Sequence, residues 1–370
     1  MDRRVWRNFD LLLLANALVL IGIGLAMIHS ATLDPSGAAV PLWEDVVFRQ
    51  AIYALVGLIV MLLVAAIDYR FYQDSSRVIY LFGLLLLGLI FAFGETAFGA
   101  QSRFNLRIFP VQPSELVKIV LILILSKYFS DHRETIHQPI HLVISLLYTV
   151  VPMVLIYLQP DLGTALILGG IWAGMAWAAG IPIWQFGVLG LGGVVAAPTV
   201  WLSLRPYMRD RILAFLNPAQ DPSGESYNVI QALISIGSGG MWGKGFAQGT
   251  QSQLHFLRVR ATDFIFSVYA EEMGFIGSMV LFALFAFLLL RILRAAKLTP
   301  DPFGQLIVIG VAMMIFTQGF INLGVNLSVI PATGLPLPFI SYGGSSLMAM
   351  LIGLGLVQSV VMRYRKLEFE

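Results

Sequence analysis

The stretch Leu11–Ile28 reads LLLLANALVLIGIGLAMI and contains no charged residue. A helix needs about 20 apolar residues to cross a bilayer, so this stretch is long enough to span one. Arg3, Arg4 and Arg7 precede it, as basic residues precede the apolar region of a secretory signal peptide. No small-residue cleavage pattern follows it, and we therefore expect a retained first transmembrane helix.

The rest of the chain is also rich in apolar residues and poor in charged ones. Of its 370 residues, 58% are hydrophobic and 12% are charged, whereas about 25% are charged in soluble domains. This composition excludes an ordinary water-soluble fold and indicates a protein embedded in membrane lipid. The net charge of +2 argues against a nucleic-acid partner. The absence of Cys excludes disulfides and thiolate metal sites.

Further apolar stretches predict an all-α integral membrane fold with ten transmembrane helices. The whole chain, residues 1–370, is read as a single polytopic membrane domain without an internal repeat. The predicted helices lie at about residues 11–28, 50–67, 78–94, 114–127, 142–157, 162–180, 184–204, 274–290, 304–324 and 342–362.

The distribution of basic residues predicts the orientation of these helices. An even number of crossings places both termini on one side, and most Lys and Arg of the short segments fall on that side. The short loops of the opposite side hold only Arg49, Arg103 and Arg107. Because basic residues of short loops stay in the cytoplasm, we expect both termini to be cytoplasmic.

The longest connection, residues 205–262, lies between the seventh and eighth predicted helices on the outer side. It contains Arg209, Arg211, Lys244, Arg258 and Arg260. A disordered linker is one interpretation, but the Trp, Phe, Leu and Ile content of this segment favours an ordered, functional loop.

Asp263 stands where this loop enters the eighth predicted helix. Asp is among the best helix N-caps, so capping is one interpretation of its position. A catalytic carboxylate at the outer membrane face is the other, and the position alone does not decide between them. Glu271 and Glu272 follow about two turns deeper and need partners at membrane depth.

Two further carboxylates belong to the outer ends of predicted helices. Glu115 and Lys118 are three residues apart and share one helix face, so they form either a structural ion pair or part of a site. Asp161 either caps the helix that follows it or contributes to the same site.

Two Gly-rich segments also map to the outer face. Ser235–Gly245 fails the spacing of a nucleotide-binding P-loop, yet its backbone N–H groups could approach a phosphate. Pro336–Ser346, which includes Ser341 and Tyr342, breaks the helical pattern, and such breaks occur only where protein buries them or a cavity adjoins them.

These features together predict an outer-facing cavity for an anionic, phosphorylated amphiphile. The His residues lack the HExxH spacing of zinc proteases, and no GxSxG motif is present. Zinc and serine hydrolases are therefore poor fits.

Six motifs occur in order along the chain, and together they resemble the SEDS family of shape, elongation, division and sporulation proteins. They are RNFD (Arg7–Asp10), GAQ (Gly99–Gln101), QPSE (Gln112–Glu115), QPDLGT (Gln159–Thr164), TDFIF (Thr262–Phe266) followed by Glu271 and Glu272, and PFISYGGS (Pro338–Ser345).

The resemblance implies ten spans and a peptidoglycan glycosyltransferase. Such an enzyme polymerises lipid II, the undecaprenyl-diphosphate-linked disaccharide peptide, at the outer face of the bacterial cytoplasmic (inner) membrane. It also implies a role in cell elongation and shape, and a class B penicillin-binding protein as the transpeptidase partner. By the same resemblance Asp263 is the catalytic carboxylate, and Glu115 and Lys118 lie near the cavity. Family members often have Trp where this chain has Ser102-Arg103-Phe104, which makes Arg103 a candidate phosphate contact.

The residue types suit this chemistry. A carboxylate at Asp263 can accept the proton of an attacking sugar hydroxyl, while basic side chains neutralise the departing diphosphate. A divalent cation, Mg²⁺ or Mn²⁺, could also bridge the diphosphate. The candidate substrate-binding residues are Arg103, Glu115, Lys118, Asp161, Arg209, Arg211, Lys244, Arg258, Arg260, Glu272, Ser341 and Tyr342.

Other functions remain open from the sequence. A lipid II flippase or other transporter would also need many helices and a charged cavity, but it usually carries its polar motifs at the midplane. A scaffold would use the carboxylates only as caps. The division branch of the same family is a closer alternative to the elongation branch.

Overall fold

The computed structural model describes residues 3–33, 41–97, 100–105, 110–204, 206–217, 226–254, 256–257 and 259–364. Over these ranges the chain is predominantly helical. The helices are α1 (Arg3–Trp6), α2 (Leu11–Thr32), α3 (Val46–Ala66), α4 (Tyr69–Phe93), α5 (Pro113–Asp131), α6 (Pro139–Leu158), α7 (Leu162–Ala179), α8 (Ile183–Ser203), α9 (Pro206–Leu216), α10 (Ser226–Ser238), α11 (Thr250–Gln253), α12 (Ile265–Leu298), α13 (Pro302–Asn326) and α14 (Gly344–Tyr364).

Eight helices in the described part of the chain are long and apolar enough to cross a membrane, namely α2, α3, α4, α6, α7, α12, α13 and α14. The other two predicted spans coincide with α5 and α8. Helix α5 carries Glu115, Lys118 and Lys127, and α8 has a shorter apolar stretch. The prediction of a multi-pass helical membrane protein is confirmed, and the number of ten crossings stays a prediction.

A small antiparallel sheet, which the sequence did not predict, lies between α4 and α5 of an otherwise helical fold. Its strands β1 (Glu95–Ala97), β2 (Ala100–Asn105) and β3 (Pro110–Val111) are arranged in that order. Glu95 pairs with Arg103 and Phe104 with Val111. Strands β1 and β3 have only three and two residues, and the six residues of β2, AQSRFN, do not alternate between apolar and polar side chains, so no strand pattern is visible in the sequence.

Aspartates begin many of the helices. Asp10, Asp45, Asp68, Asp161 and Asp301 each accept a backbone N–H bond at the N-terminus of α2, α3, α4, α7 and α13 respectively. A cap of this kind satisfies one of the N–H groups that the first turn of a helix leaves without a partner. The structure thus places Asp161 as a helix cap, one of its two sequence interpretations.

Helix α13 lies at the centre of the bundle and packs against α5, α7, α12 and α14. Small residues allow this close packing: a Cβ added to Gly310 of α13 would lie 2.6 Å from Ile122 of α5. Membrane helices commonly approach one another through such small residues.

Helix α12 is broken at Gly274, whose φ of 69° and ψ of −167° are not helical. The segment 239–245, which precedes α12 in the chain, lies against this break. The N–H groups of Lys244 and Gly245 donate to the carbonyl oxygens of Glu271 and Glu272, each at 3.0 Å. Beyond the break, the N–H groups of Phe275 and Ile276 donate to Gly240 and Met241.

This exchange satisfies the backbone groups that a broken helix would otherwise leave without partners at membrane depth. The eighth predicted span, about residues 274–290, lies within α12, which begins at Ile265 close to Asp263. One sequence prediction is corrected. The N–H groups of Lys244 and Gly245, expected to approach a phosphate, are bonded to α12.

We predict that Gly243→Ala destabilises the protein by about 2 kcal/mol or more, because its φ of 79° disfavours any side chain and the new Cβ would lie 2.1 Å from the carbonyl oxygen of Glu272. Gly237→Ala is the matched control, since it lies in α10 with no atom within 4 Å of its Cβ position. Thermal unfolding in detergent compares the two, and equal midpoints would contradict the role assigned to the 239–245 segment.

Candidate active site

Asp263 lies two residues before the first residue of α12 and does not cap the helix. The N-cap position is occupied by Phe264, which makes no side-chain capping bond. The amide oxygen of Asn326 takes that role instead, accepting from the backbone N–H of Ser267 at 3.2 Å and from its hydroxyl at 2.7 Å. The structure therefore gives no support to capping as the reason for an aspartate at this position.

The backbone of Asp263 is held by α13. Its carbonyl oxygen accepts hydrogen bonds from the side-chain amides of Asn322 and Asn326, both at 2.9 Å. Its side chain is half-buried, and Oδ2 lies 3.7 Å from the position that a Cβ of Gly334 would take. Asp263 is thus fixed through its backbone while its carboxylate faces the segment that contains Gly334.

Glu115 and Lys118 form a buried ion pair, with 2.6 Å between Oε2 and Nζ. The lysine side chain has no exposed surface, and Nζ also donates to Oε1 of Gln318 at 2.7 Å. The structure thus shows the ion-pair interpretation of these residues. The Lys118 ammonium lies inside the bundle, where its partners are a carboxylate and an amide. It is not exposed to solvent from which a diphosphate could bind.

Asp161 connects the starts of α5 and α7. Besides the Thr164 N–H, it accepts from Nε2 of Gln112 at 3.1 Å and from the Ser114 hydroxyl at 3.4 Å. The next turn packs on residues 333–335, since a Cβ on Gly163 would lie 2.8 Å from the carbonyl oxygen of Thr333. The motif around Asp161 is therefore continuous in space with the segment that faces Asp263.

The Pro-Gly-rich segment before α14 is locked to the residues that precede Asp263. The Ser341 hydroxyl bonds the carbonyl oxygen of Thr262, and the N–H of Tyr342 donates to Ala261 at 2.9 Å. Gln50 of α3 accepts from the N–H of Gly343 at 3.2 Å. Protein groups thus satisfy these polar atoms of Ser341, Tyr342 and Gly343, as expected for irregular backbone in a membrane protein.

Most of the predicted phosphate ligands have protein partners. Lys244 pairs with Glu271 at 2.7 Å, and Arg260 bonds the carbonyl oxygen of Ala31. Burial lowers the pKa of the Arg260 guanidinium. Arg209 donates to the carbonyl oxygen of Leu202 at 2.6 Å.

The structure says less about three more candidates as phosphate ligands, because Glu272 is acidic and the two others are described in part or not at all. Glu272 accepts from the Ser30 hydroxyl and from the N–H of Ala247. Arg258 lies outside the described residues, and only the backbone of Arg103, in β2, is described.

A cavity of about 190 Å³ adjoins residues 330–333. Its wall is mostly apolar, with Arg211 and Thr333 as the polar exceptions. Within the described residues the Thr333 hydroxyl is buried without a hydrogen-bond partner. The lining residues are Pro160, Leu162, Leu166, Met208, Arg211, Ile212, Ile330, Pro331, Ala332 and Thr333.

The sequence reasoning did not identify Gln318, Asn322 and Asn326 as site residues. The available signal was three amide side chains spaced four residues apart within an otherwise apolar span. Polar groups within a membrane span require partners and mark functional regions.

A half-buried carboxylate beside the segment that contains Gly334, in a bundle with eight described helices long and apolar enough to cross a membrane, is typical of a site in an integral-membrane protein. The model of the cell cycle protein family FtsW/RodA/SpoVE matches residues 10–366. The chain belongs to this family, and the membership predicted from its motifs is confirmed.

Three relatives align with 82% to 98% of this chain. The probable peptidoglycan glycosyltransferase FtsW of Thiomicrospira cyclica is 39% identical, covering 95% of this chain and 91% of that protein. The peptidoglycan glycosyltransferase MrdB of Escherichia coli is 36% identical, covering 82% of each. A chain solved in a study of polymerization and crosslinking by a peptidoglycan synthase complex aligns with a TM-score of 0.80 at 33% identity, covering 98% of this chain and 99% of that one.

We predict that Glu115→Gln destabilises the protein by about 3–5 kcal/mol, because it leaves the buried Lys118 ammonium without its counter-charge. Lys118→Met added to this variant should restore part of the loss. On the same helix, Lys127→Met removes only a long, partly exposed pair with Asp131 at 3.9 Å and should cost less than about 1 kcal/mol. Chemical unfolding in detergent tests this order. A Glu115→Gln variant as stable as Lys127→Met would show that the pair contributes little.

Proposed function

We propose that this chain is a peptidoglycan glycosyltransferase that polymerises lipid II at the outer face of the bacterial cytoplasmic membrane, with Asp263 as the catalytic base. The observation that carries the proposal is the geometry of Asp263. Its backbone is fixed by two amides of α13, and its carboxylate is left out of the capping of α12. The relatives named as peptidoglycan glycosyltransferases support the reaction class.

The reaction requires one proton acceptor and a stabilised leaving group. The 4-hydroxyl oxygen of one sugar bonds to the anomeric carbon of the next, and its proton passes to the Asp263 carboxylate. The bond between that carbon and the diphosphate oxygen breaks, and its electron pair stays on the diphosphate. Attack from the opposite face converts an α-linked donor into a β-linked product. Positive charge beside the diphosphate removes the need for a second acid.

The cavity beside residues 330–333 suits the lipid portion nearest the diphosphate. Its apolar wall can accept isoprenoid carbons, and Arg211 in the same wall brings a guanidinium to the anionic end. Arg is the side chain best matched to phosphate oxygens. Of the predicted basic ligands, Arg211 is the one we assign to the diphosphate.

The proposed site requires the predicted orientation of the chain. Ten crossings, including α5 and α8, with both termini in the cytoplasm place residues 205–262 and Asp263 on the outer side. A class B penicillin-binding protein would there cross-link the strands. The similarity to a chain from a peptidoglycan synthase complex supports such a partner.

A divalent cation remains part of the proposal. In the described part of the chain no group of three His, Cys, Asp or Glu is placed to hold a metal ion. Mg²⁺ or Mn²⁺, if bound with the substrate, would reduce the negative charge of the diphosphate.

The decisive variant is Asp263→Asn, which removes the base and keeps the size of the side chain. We expect polymerisation of purified lipid II, assayed with a cognate class B partner, to fall on the order of 10²- to 10⁴-fold while lipid II binding is retained. Asp301→Asn is the control, because Asn caps α13 as well as Asp does.

Two outcomes would contradict the proposal. An Asp263→Asn variant as active as Asp301→Asn would exclude Asp263 as the base and favour a scaffold. A wild-type protein that makes no polymer but moves lipid II across vesicle bilayers would be a flippase. The break in α12 at Gly274 is a feature that transporters share, which makes this second assay worthwhile.

A second prediction concerns the cavity. Ala332→Phe should fill it and raise the KM for lipid II with a full-length prenyl chain about tenfold, because the lost lipid burial is worth about 0.8 kcal/mol per methylene. A lipid II analogue with a methyl group in place of the whole prenyl chain serves as the internal control and should be affected less. An equal change in KM for both substrates would show that the prenyl chain lies elsewhere.

A further inference from the structure

Helix α13 presents three buried amides on one face. Gln318, Asn322 and Asn326 are four residues apart, and at most 1% of each is exposed. Residues at this spacing are neighbours along a helix surface. We call these three side chains the amide ladder.

The partners of the ladder fix which way each amide points. The Lys118 ammonium can only donate, so Gln318 presents its oxygen to Nζ and its NH₂ group to the carbonyl oxygen of Pro336 at 2.9 Å. At the other end, the oxygen of Asn326 accepts from the backbone N–H of Ser267. Its NH₂ group must therefore face carbonyl oxygens.

The NH₂ groups converge on the backbone around Asp263. Asn322 and Asn326 both donate to the carbonyl oxygen of Asp263, and Asn322 also donates to that of Leu335 at 2.6 Å. Gln318 holds Pro336, the next residue along. The ladder therefore binds residue 263 and residues 335–336 to the same helix face, and Gly334 stands between them beside the carboxylate.

We propose that the amide ladder is a positioning element for Asp263. Asn322 and Asn326 set where the carboxylate meets the sugar hydroxyl, and Gln318 connects this arrangement to the buried Glu115–Lys118 pair. None of the three is a catalytic residue, since they act through the backbone of Asp263 and the 335–336 segment. This inference rests on the proposed function of Asp263 as a base.

The consequence is a change in kcat without a change in substrate affinity. A displacement of about 1 Å in a reacting group can cost on the order of 100-fold in rate. Asn322→Leu keeps the branched shape of the side chain and removes its three hydrogen bonds, two that its NH₂ group donates and one that its oxygen accepts from Asn326 at 3.3 Å. We expect its kcat to fall 10- to 100-fold while its KM for lipid II stays within about twofold of wild type.

A matched control lies beside Asp10, at the start of α2. Gln358 of α14 is equally buried and, like the ladder, bonds the backbone of one aspartate, with Nε2 donating to the carbonyl oxygen of Asp10 at 2.8 Å. Gln358→Met should lower the unfolding midpoint about as much as Asn322→Leu and leave kcat near that of wild type.

Asn326→Asp provides a second variant, and its unfolding midpoint shows whether it folds. An aspartate keeps the acceptor that caps Ser267 and loses the NH₂ group that donates to the carbonyl oxygens of Asp263 and Asn322. Its kcat should fall as in Asn322→Leu. The inference is overturned if both ladder variants keep kcat within twofold of Gln358→Met, or if they change KM alone. Wild type and Asp263→Asn, measured in the same assay, test the proposed function separately. A failure of the ladder proposal can therefore be distinguished from a failure of the proposed function.

Discussion

Two hydrogen bonds from one helix to one carbonyl oxygen determine where the candidate catalytic carboxylate lies. Asn322 and Asn326 donate to the carbonyl oxygen of Asp263 from the last turns of α13, the helix at the centre of the bundle. Because this helix contacts α5, α7, α12 and α14, the position of Asp263 is tied to most of the core. A flexible loop alone could not hold a base with the accuracy that proton transfer requires.

The surrounding structure shows how irregular backbone is tolerated in a membrane protein. The break in α12 is satisfied by segment 239–245, and the Pro-Gly-rich segment before α14 is satisfied by Gln50, Ala261 and Thr262. Each unsatisfied backbone group in the bilayer would cost several kcal/mol. Lys244 and Ser341 therefore serve the architecture of the site, and the number of basic groups left for the substrate is smaller than the sequence suggests.

Much of this organisation could be predicted from the sequence, because long apolar runs and helix caps are local signals. The ten predicted spans coincide with long helices, Asp161 caps α7, and Glu115 meets Lys118 three residues away. Longer-range pairings could not be predicted. Nothing local indicates that Asn326 rather than Asp263 caps α12, or that Lys244 pairs with Glu271. The small sheet could not be predicted either, because its longest strand, AQSRFN, does not alternate between apolar and polar residues.

The most direct test of the account is a structure of the Asp263→Asn variant trapped with lipid II. The account predicts a sugar 4-hydroxyl within about 2.6–3.2 Å of the side chain at position 263, with the first isoprenoid units in the cavity lined by Ala332 and the diphosphate beside Arg211. A sugar bound away from position 263, or a diphosphate held by other cations on a different face of the bundle, would contradict it.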